Sequence, residues 1–148
     1  MKLYKTLILL VIFVTLAGIT ASAMPDSIWV GEEGNTAELI VITKPPKDRS
    51  ATFDRSYVIS GYGKEGTTVA IYKLAGDVYL KTDYVWQIGA STYFAIPIEL
   101  DNRKNILLCR AEDNSGLYQH TILEITYLGN SISDIMRNIS VDATNIPY

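Results

Sequence analysis

Apolar residues occupy alternate positions from Phe94 to Leu100, through Ile96 and Ile98, and again from Leu107 through Cys109 to Ala111. A period of two puts alternate side chains on opposite faces of a strand, so each run predicts a strand with one buried face. Asp101 to Lys104 supplies the turn between them, and Leu123, Ile125 and Tyr127 mark a last strand beyond Asn114-Ser115-Gly116. Earlier in the chain, Tyr57, Ile59 and Gly61 share one parity within Thr52 to Gly61, as do Val69 and Ile71 within Thr68 to Lys73. With Gly63 to Gly66 as a turn, the pattern predicts two adjacent strands. Val78 to Thr82 and Tyr84 to Ile88 are aromatic and β-branched and read as a middle hairpin, bounded by Gly76-Asp77 and Gly89-Ala90-Ser91. Glu38 to Thr43 is a short β-run that Lys44-Pro45-Pro46-Lys47 must break, at a sheet edge or a crossing between sheets. Pro97 removes one ladder donor and argues for an edge or a bulge. About seven short strands without a long helix predict an all-β sandwich.

The last hairpin can be put in register from its turn. A three-residue loop with Gly116 in the left-handed conformation sets Asp113 opposite Leu117, Ala111 opposite Gln119 and Cys109 opposite Thr121. A four-residue loop would set Cys109 opposite His120, but it would turn Leu123, Ile125 and Tyr127 away from Leu107, Cys109 and Ala111 and split the core. The three-residue loop is therefore preferred. It leaves Leu108 paired with Ile122 on the outer face, an apolar pair that a solvated sheet face does not need. Beyond Tyr127, Ile132, Ile135, Met136 and Ile139 follow helical spacing behind Ser131 as N-cap, predicting a short C-terminal helix. So short a helix is marginal alone. Its expected dock is the Leu108 and Ile122 pair, with another protomer or a partner as the alternatives.

The first residues predict export. Lys2 and Lys5 form a positive n-region, Leu7 to Leu16 an apolar core, and Ala21-Ser22-Ala23 a cleavage site of the A-x-A kind. The alternative is an uncleaved anchor, since Thr6 to Ala23 is about 18 residues, near the lower limit for spanning a bilayer. Cleavage makes Met24 the mature start, and membrane contact is expected only through the signal segment if it stays uncleaved. The predicted organisation is a signal peptide over 1–23, a flexible leader over 24–37, the sandwich over 38–128, and a tail with a short helix over 129–148. The whole chain carries a formal charge of −3. Without Lys2 and Lys5 this becomes about −5, which disfavours nucleic acid as a partner. Cys109 is the only cysteine. An intramolecular disulfide is thereby excluded, and stability must come from packing. This cysteine usage fits a bacterial surface or envelope protein.

Four stretches together carry a resemblance: Ile59-Ser60-Gly61, Gly66 to Tyr72, Phe94 to Leu100, and Asn105 to Asp113 leading to Gly116. In this order the chain resembles the bacterial immunoglobulin-like domains of secreted and cell-surface proteins, from about Leu39 to Leu128. Arg103 and Lys104 stand where that family often has a glycine before the asparagine. The resemblance implies an immunoglobulin-like β-sandwich that serves as a binding or spacer module, and it brings no catalytic residues.

The chemistry-bearing residues point the same way. The chain has one histidine, and the preferred register turns His120 away from Cys109, leaving no nucleophile beside a base. Cys109 reads as a small core residue. Glu112-Asp113-Asn114 and Asp101-Asn102 lack the spaced acidic run of a calcium loop and read as turn chemistry. No catalytic residue, cofactor or metal ligand is predicted. Asn138-Ile139-Ser140 matches a glycosylation sequon, with meaning only in a eukaryotic secretory pathway. Tyr79, Tyr84, Trp86 and Tyr93 cluster in the middle strands; they either pack the sandwich, Trp86 as a central core residue, or form a binding platform. The expected function is a secreted, non-enzymatic module that binds a protein. A carbohydrate-binding module that takes a cell-surface glycan on these rings is the alternative.

Overall fold

A computed structural model describes residues 24–34 and 37–129. They form nine strands: β1 (Ser27–Trp29), β2 (Ile40–Lys44), β3 (Arg49–Thr52), β4 (Ser56–Gly63), β5 (Thr68–Ala75), β6 (Val78–Gln87), β7 (Tyr93–Glu99), β8 (Arg103–Glu112) and β9 (Tyr118–Tyr127). The expected signal segment, residues 1–23, and the expected helix from Ile132 to Ile139 lie outside the described residues.

The strands make two sheets, one of order β1-β6-β5-β8-β9-β3 and one of order β2-β4-β7. All neighbours are antiparallel except β3, which runs parallel to β9. The core lies between the sheets and is built from the alternating residues. Ile59, Phe94, Ile96 and Ile98 of the small sheet face Val69, Ile71, Leu107, Cys109, Ala111, Leu123 and Ile125 of the large one. Gly61 is required by the approach of β2. A Cβ there would run into the Val41 carbonyl oxygen and come within 3.0 Å of the Phe94 ring.

The predicted register of the last hairpin holds. Leu108 pairs with Ile122, Cys109 with Thr121 and Ala111 with Gln119. The Asp113 amide donates to the Leu117 carbonyl at 2.9 Å, and Gly116 has a φ of 82°, as a loop of this kind demands. The Lys44 to Lys47 segment is a crossing, because β2 lies in the small sheet and β3 in the large one. Pro97 sits on β7, an edge strand, where its missing donor costs no ladder bond. Arg103 takes a φ of 71°, the conformation that glycine adopts at no steric cost. The buried Asn105 side chain holds this turn, accepting from the Asp101 amide at 2.8 Å and donating to the Asp101 carbonyl at 3.0 Å.

Other expectations need correction. Thr52 to Gly61 and Thr68 to Lys73 are not adjacent strands, because β4 belongs to the small sheet and β5 to the large one; residues 64–67 cross between the layers. Both strands have a face in the same core, and alternation cannot tell partners within a sheet from partners across it. The middle hairpin is one continuous strand, β6, with a register shift against β5 between Ala70 and Tyr72. Asp83 fits because a bulge continues a strand through a polar residue. The hairpin here is β5 with β6, joined at Gly76-Asp77. Residues 24–34, expected to be a flexible leader, instead carry β1, which closes the open edge of β6. The short polar β3 had no pattern to announce it and forms by lying along β9.

Candidate functional site

The outer face of the large sheet carries the buried charged residues of the described chain, Arg110 and Glu112. Alternation turns Leu108, Arg110 and Glu112 of β8 outward, and antiparallel pairing sets Ile122, His120 and Tyr118 of β9 opposite them. The leader crosses this face. Ile28 is inserted against Ala70, Tyr72, Tyr79 and Leu108 in a second, smaller apolar cluster. Two hydrogen bonds hold the segment ahead of β1. The Tyr72 hydroxyl donates to the Pro25 carbonyl at 2.7 Å, and the Lys81 amide donates to the Asp26 carbonyl at 2.9 Å. Burial pushes the Tyr72 hydroxyl up to about 12, with Arg110 opposing that rise.

Beside this cluster lies a charged one. Arg110 and Glu112 are each only 6% exposed. The guanidinium donates from Nε at 3.0 Å and from Nη2 at 2.7 Å to Oε2 of Glu112, and stacks 4.1 Å from the Tyr118 ring centre. Its Nη1 lies 3.0 Å from Nε2 of His120. Guanidinium nitrogens only donate. Nε2 must therefore accept, which places the imidazole proton on Nδ1, 3.1 Å from the Glu32 carbonyl that receives it. The neutral histidine thus joins the leader to the sheet. Burial is the main cause holding its pKa below the ordinary value; the Glu32 carbonyl opposes this and the Arg110 charge reinforces it.

A depressed histidine pKa sets the direction of a pH effect. The stability contributed by neutral His120 is fully present above the unfolded-state value near 6.5 and declines as pH falls below it. Asp113 is held low mainly by the Ser115 hydroxyl and Glu124 mainly by Lys104, so these two carboxylates act at lower pH. Between pH 6.5 and 5 the melting temperature should fall more in the native chain than in His120→Gln, which offers an acceptor without a titrating ring. Parallel thermal-melt curves across that interval would show that His120 does not sense pH.

Between the leader and β9 a cleft of about 440 Å³ remains, lined by Trp29, Gly31 to Gly34, Tyr79, Leu108, His120 and Ile122. Trp29 is 67% and Ile122 52% exposed at its walls. The opposite side of the molecule has a different character. Val41, Tyr62 and Tyr93 stand in one row across β2, β4 and β7, since Val41 pairs with Tyr62 and Tyr62 with Tyr93. Both tyrosines are 51% exposed.

The four aromatic residues expected to act together are dispersed. Tyr79 is buried under the leader. Tyr84 packs against the core between the sheets, and its hydroxyl accepts from the Glu99 amide at 3.2 Å. Trp86 of β6 pairs with Val69 of β5 and is 42% exposed, so it is not a central core tryptophan. Only Tyr93 has an exposed aromatic cross-strand neighbour, Tyr62, which the reading of the middle strands passed over. The cluster around Arg110 was also missed as a unit, although the hairpin register already set Arg110 opposite His120 and Glu112 opposite Tyr118.

Cys109 is fully buried, and burial pushes its thiol up to about 12. It lies in the inner core, whereas His120 lies on the outer face. Asp113 is a turn residue, its Oδ1 accepting from the Ser115 amide at 2.8 Å, the Ser115 hydroxyl at 2.6 Å and the Leu117 amide at 3.1 Å. Lys73 pairs with Asp101. Among the described residues no group of three or more His, Cys, Asp or Glu side chains is placed to hold a metal ion. No family model and no curated protein matches the sequence.

Proposed function

We propose that the chain is a secreted, non-enzymatic, immunoglobulin-like module of the extracytoplasmic or cell-surface type, which acts by binding a protein through the outer face of its small sheet. The carrying observation is the exposed row Val41, Tyr62 and Tyr93, which crosses all three strands of that sheet. Tyrosine supplies large contact area at low conformational cost and is enriched at protein interfaces. The immunoglobulin-like reading draws support from the strand order. β2, β4 and β7 occupy the places of strands A, B and E, and β6, β5, β8 and β9 those of C′, C, F and G. The chain then changes sheets between β2 and β3, and β3 adds to the edge of the large sheet beside β9. The export reading rests on Lys2, Lys5, the apolar run and Ala21-Ser22-Ala23. A non-enzymatic role fits the placement of Cys109 and His120 on opposite faces of the sheet.

Capture from a cell-envelope extract by immobilised Met24–Tyr148 tests the proposal. Proteins retained by the native chain should be lost with the Tyr62→Ser/Tyr93→Ser variant, whose circular dichroism should stay native because both side chains face solvent. Equal retention by the two would remove the small sheet as the contact. The paired exposed rings also favour the second reading, a carbohydrate-binding module, because tyrosine faces can stack on sugar rings. A glycan array bound by the native chain and not by Tyr93→Ala would establish it. Binding lost with Trp86→Ala alone would move the sugar site to β6.

A further inference from the structure

Among the described residues, four strand edges are protected against pairing with another chain and a fifth is not. β1 and β3 are only three and four residues long, and β3 begins with Arg49. β7 carries Pro97. On β2, the Gln119 side chain accepts from the Leu39 and Ile40 amides at 2.7 and 2.9 Å and donates to the Ile40 carbonyl at 3.1 Å. Shortness, basic charge, proline and cover are the usual means of blunting an edge. The half of β6 beyond β1, Asp83 to Gln87, has no proline or basic residue, and Val85 and Trp86 are 46% and 42% exposed there. Its backbone is free to pair. The Lys81 amide reaches away from β5 to the Asp26 carbonyl, and the Ile88 amide reaches the β5 side to the Thr67 carbonyl, each at 2.9 Å. Counting forward from Lys81 and back from Ile88, alternation turns the N–H and C=O groups of Asp83, Val85 and Gln87 away from β5, where no strand pairs with them.

We propose that this edge pairs antiparallel with the same edge of a second copy, about a twofold axis through Val85. The stretch Asp83-Tyr84-Val85-Trp86-Gln87 is complementary to its own reverse. Val85 meets the partner's Val85, Asp83 accepts from the amide of the partner's Gln87, and Tyr84 lies opposite the partner's Trp86, an aromatic pair of the kind that stabilises antiparallel strands. No like charges face each other. The outward amides of each copy find the outward carbonyls of the other, and the same surface serves both copies. The space matches the length of the contact. Asp26 of the leader sits opposite Lys81 at one end, and the backbone turns in to Thr67 at Ile88 at the other. Ahead of Asp26 the leader has already moved onto the outer face, where the Tyr72 hydroxyl holds the Pro25 carbonyl and Met24 packs on the outer cluster. The contact uses the large sheet and leaves the row Val41, Tyr62 and Tyr93 on the small one.

Sedimentation of the full chain should show a dimer that dissociates on dilution, because a single short strand pair lies at the small end of specific interfaces. Val85→Pro should raise the dissociation constant by about tenfold or more, since it removes the amide that each copy contributes at the axis. Its circular dichroism should stay native, because an edge strand tolerates proline where the amide points to solvent. Val85→Lys, which sets like charges opposite each other at the axis, should weaken the dimer without altering the backbone. Val85→Cys should be linked to its own copy by oxidised glutathione, whereas Ile122→Cys, 52% exposed on β9, should not; Cys109 is buried and does not compete. A chain that sediments as a monomer at every concentration would overturn the proposal. So would a dimer that Val85→Pro and Val85→Lys both leave intact, or linking of Ile122→Cys as fast as that of Val85→Cys, because the contact would then lie elsewhere.

Discussion

Glu112→Ala should lower the stability of the sandwich by about 3 kcal/mol or more, the usual consequence of removing one partner of a buried ion pair. Glu112 Oε2 receives two guanidinium hydrogens from Arg110, and both side chains are 7% exposed. Truncating the carboxylate leaves a desolvated cation that His120 and the Tyr118 ring cannot neutralise. For a domain of this size the loss corresponds to a fall of about 10–20 °C in melting temperature. Replacing both partners, Arg110→Met with Glu112→Leu, removes the charges together and should cost far less, since the desolvation penalty then disappears with the attraction. Urea unfolding of the native chain, the single variant and the double variant measures all three. A single-variant loss below about 1 kcal/mol would mean that water reaches the pair and screens it as it does at a surface. The double variant has a second use, because it also takes away the donor that fixes His120. Its melting temperature should depend less on pH between 6.5 and 5 than that of the native chain.

Phe94→Ala should cost about 3–5 kcal/mol, the range for deleting a large buried aromatic side chain. Phe94 is fully buried between the sheets, and its ring lies over Gly61, where β2 and β4 approach too closely for any side chain. That geometry gives the cavity little chance to collapse. Its neighbour Tyr93 has the opposite fate, because successive side chains of β7 point to opposite faces. Tyr93→Ala should change stability by no more than about 0.5 kcal/mol, as exposed substitutions generally do. Denaturant unfolding of the two variants is a direct test of which face of β7 is inside. Equal losses would contradict the assignment of Tyr93 to the solvent face and, with it, the binding row.

The hairpin of β8 and β9 was legible because three constraints agreed: a turn with one left-handed glycine, a period of two, and a single apolar face for both strands. Pro97 at an edge and the crossing at Lys44 to Lys47 followed from the missing amide hydrogen of proline. The exchange of β4 and β5 between sheets was not legible, since strands that face each other across a core and strands that pair within a sheet carry the same alternation. Nor was β1. Ser27-Ile28-Trp29 is too short to show a period, and Ile28 becomes a core residue only because Tyr72, Tyr79 and Leu108 are assembled beneath it. The aromatic platform failed for a related reason. Tyr79, Tyr84 and Trp86 are close in sequence, but alternation turns Tyr79 to the outer face, while Tyr84 and Trp86 share the inner side, where Tyr84 packs on the core and Trp86 stays 42% exposed.

By itself, then, the order of polar and apolar residues determined an all-β fold, the inner face of β4, β5, β7, β8 and β9, and the pairing of Leu108 with Ile122 on the outside. Those properties are local, because they depend only on the pleat of a strand and on the chemistry of a turn. Tertiary structure decided how the strands other than the hairpin of β8 and β9 are shared between the sheets, what covers the outer face, and which exposed side chains come together. Arg110, Glu112, Tyr118 and His120 are set side by side by the hairpin register, but Glu32 joins them only because the distant leader is brought within hydrogen-bonding distance. Val41, Tyr62 and Tyr93 become one row only when three strands align. Proximity of this kind comes from packing between elements, and no periodicity along the chain encodes it.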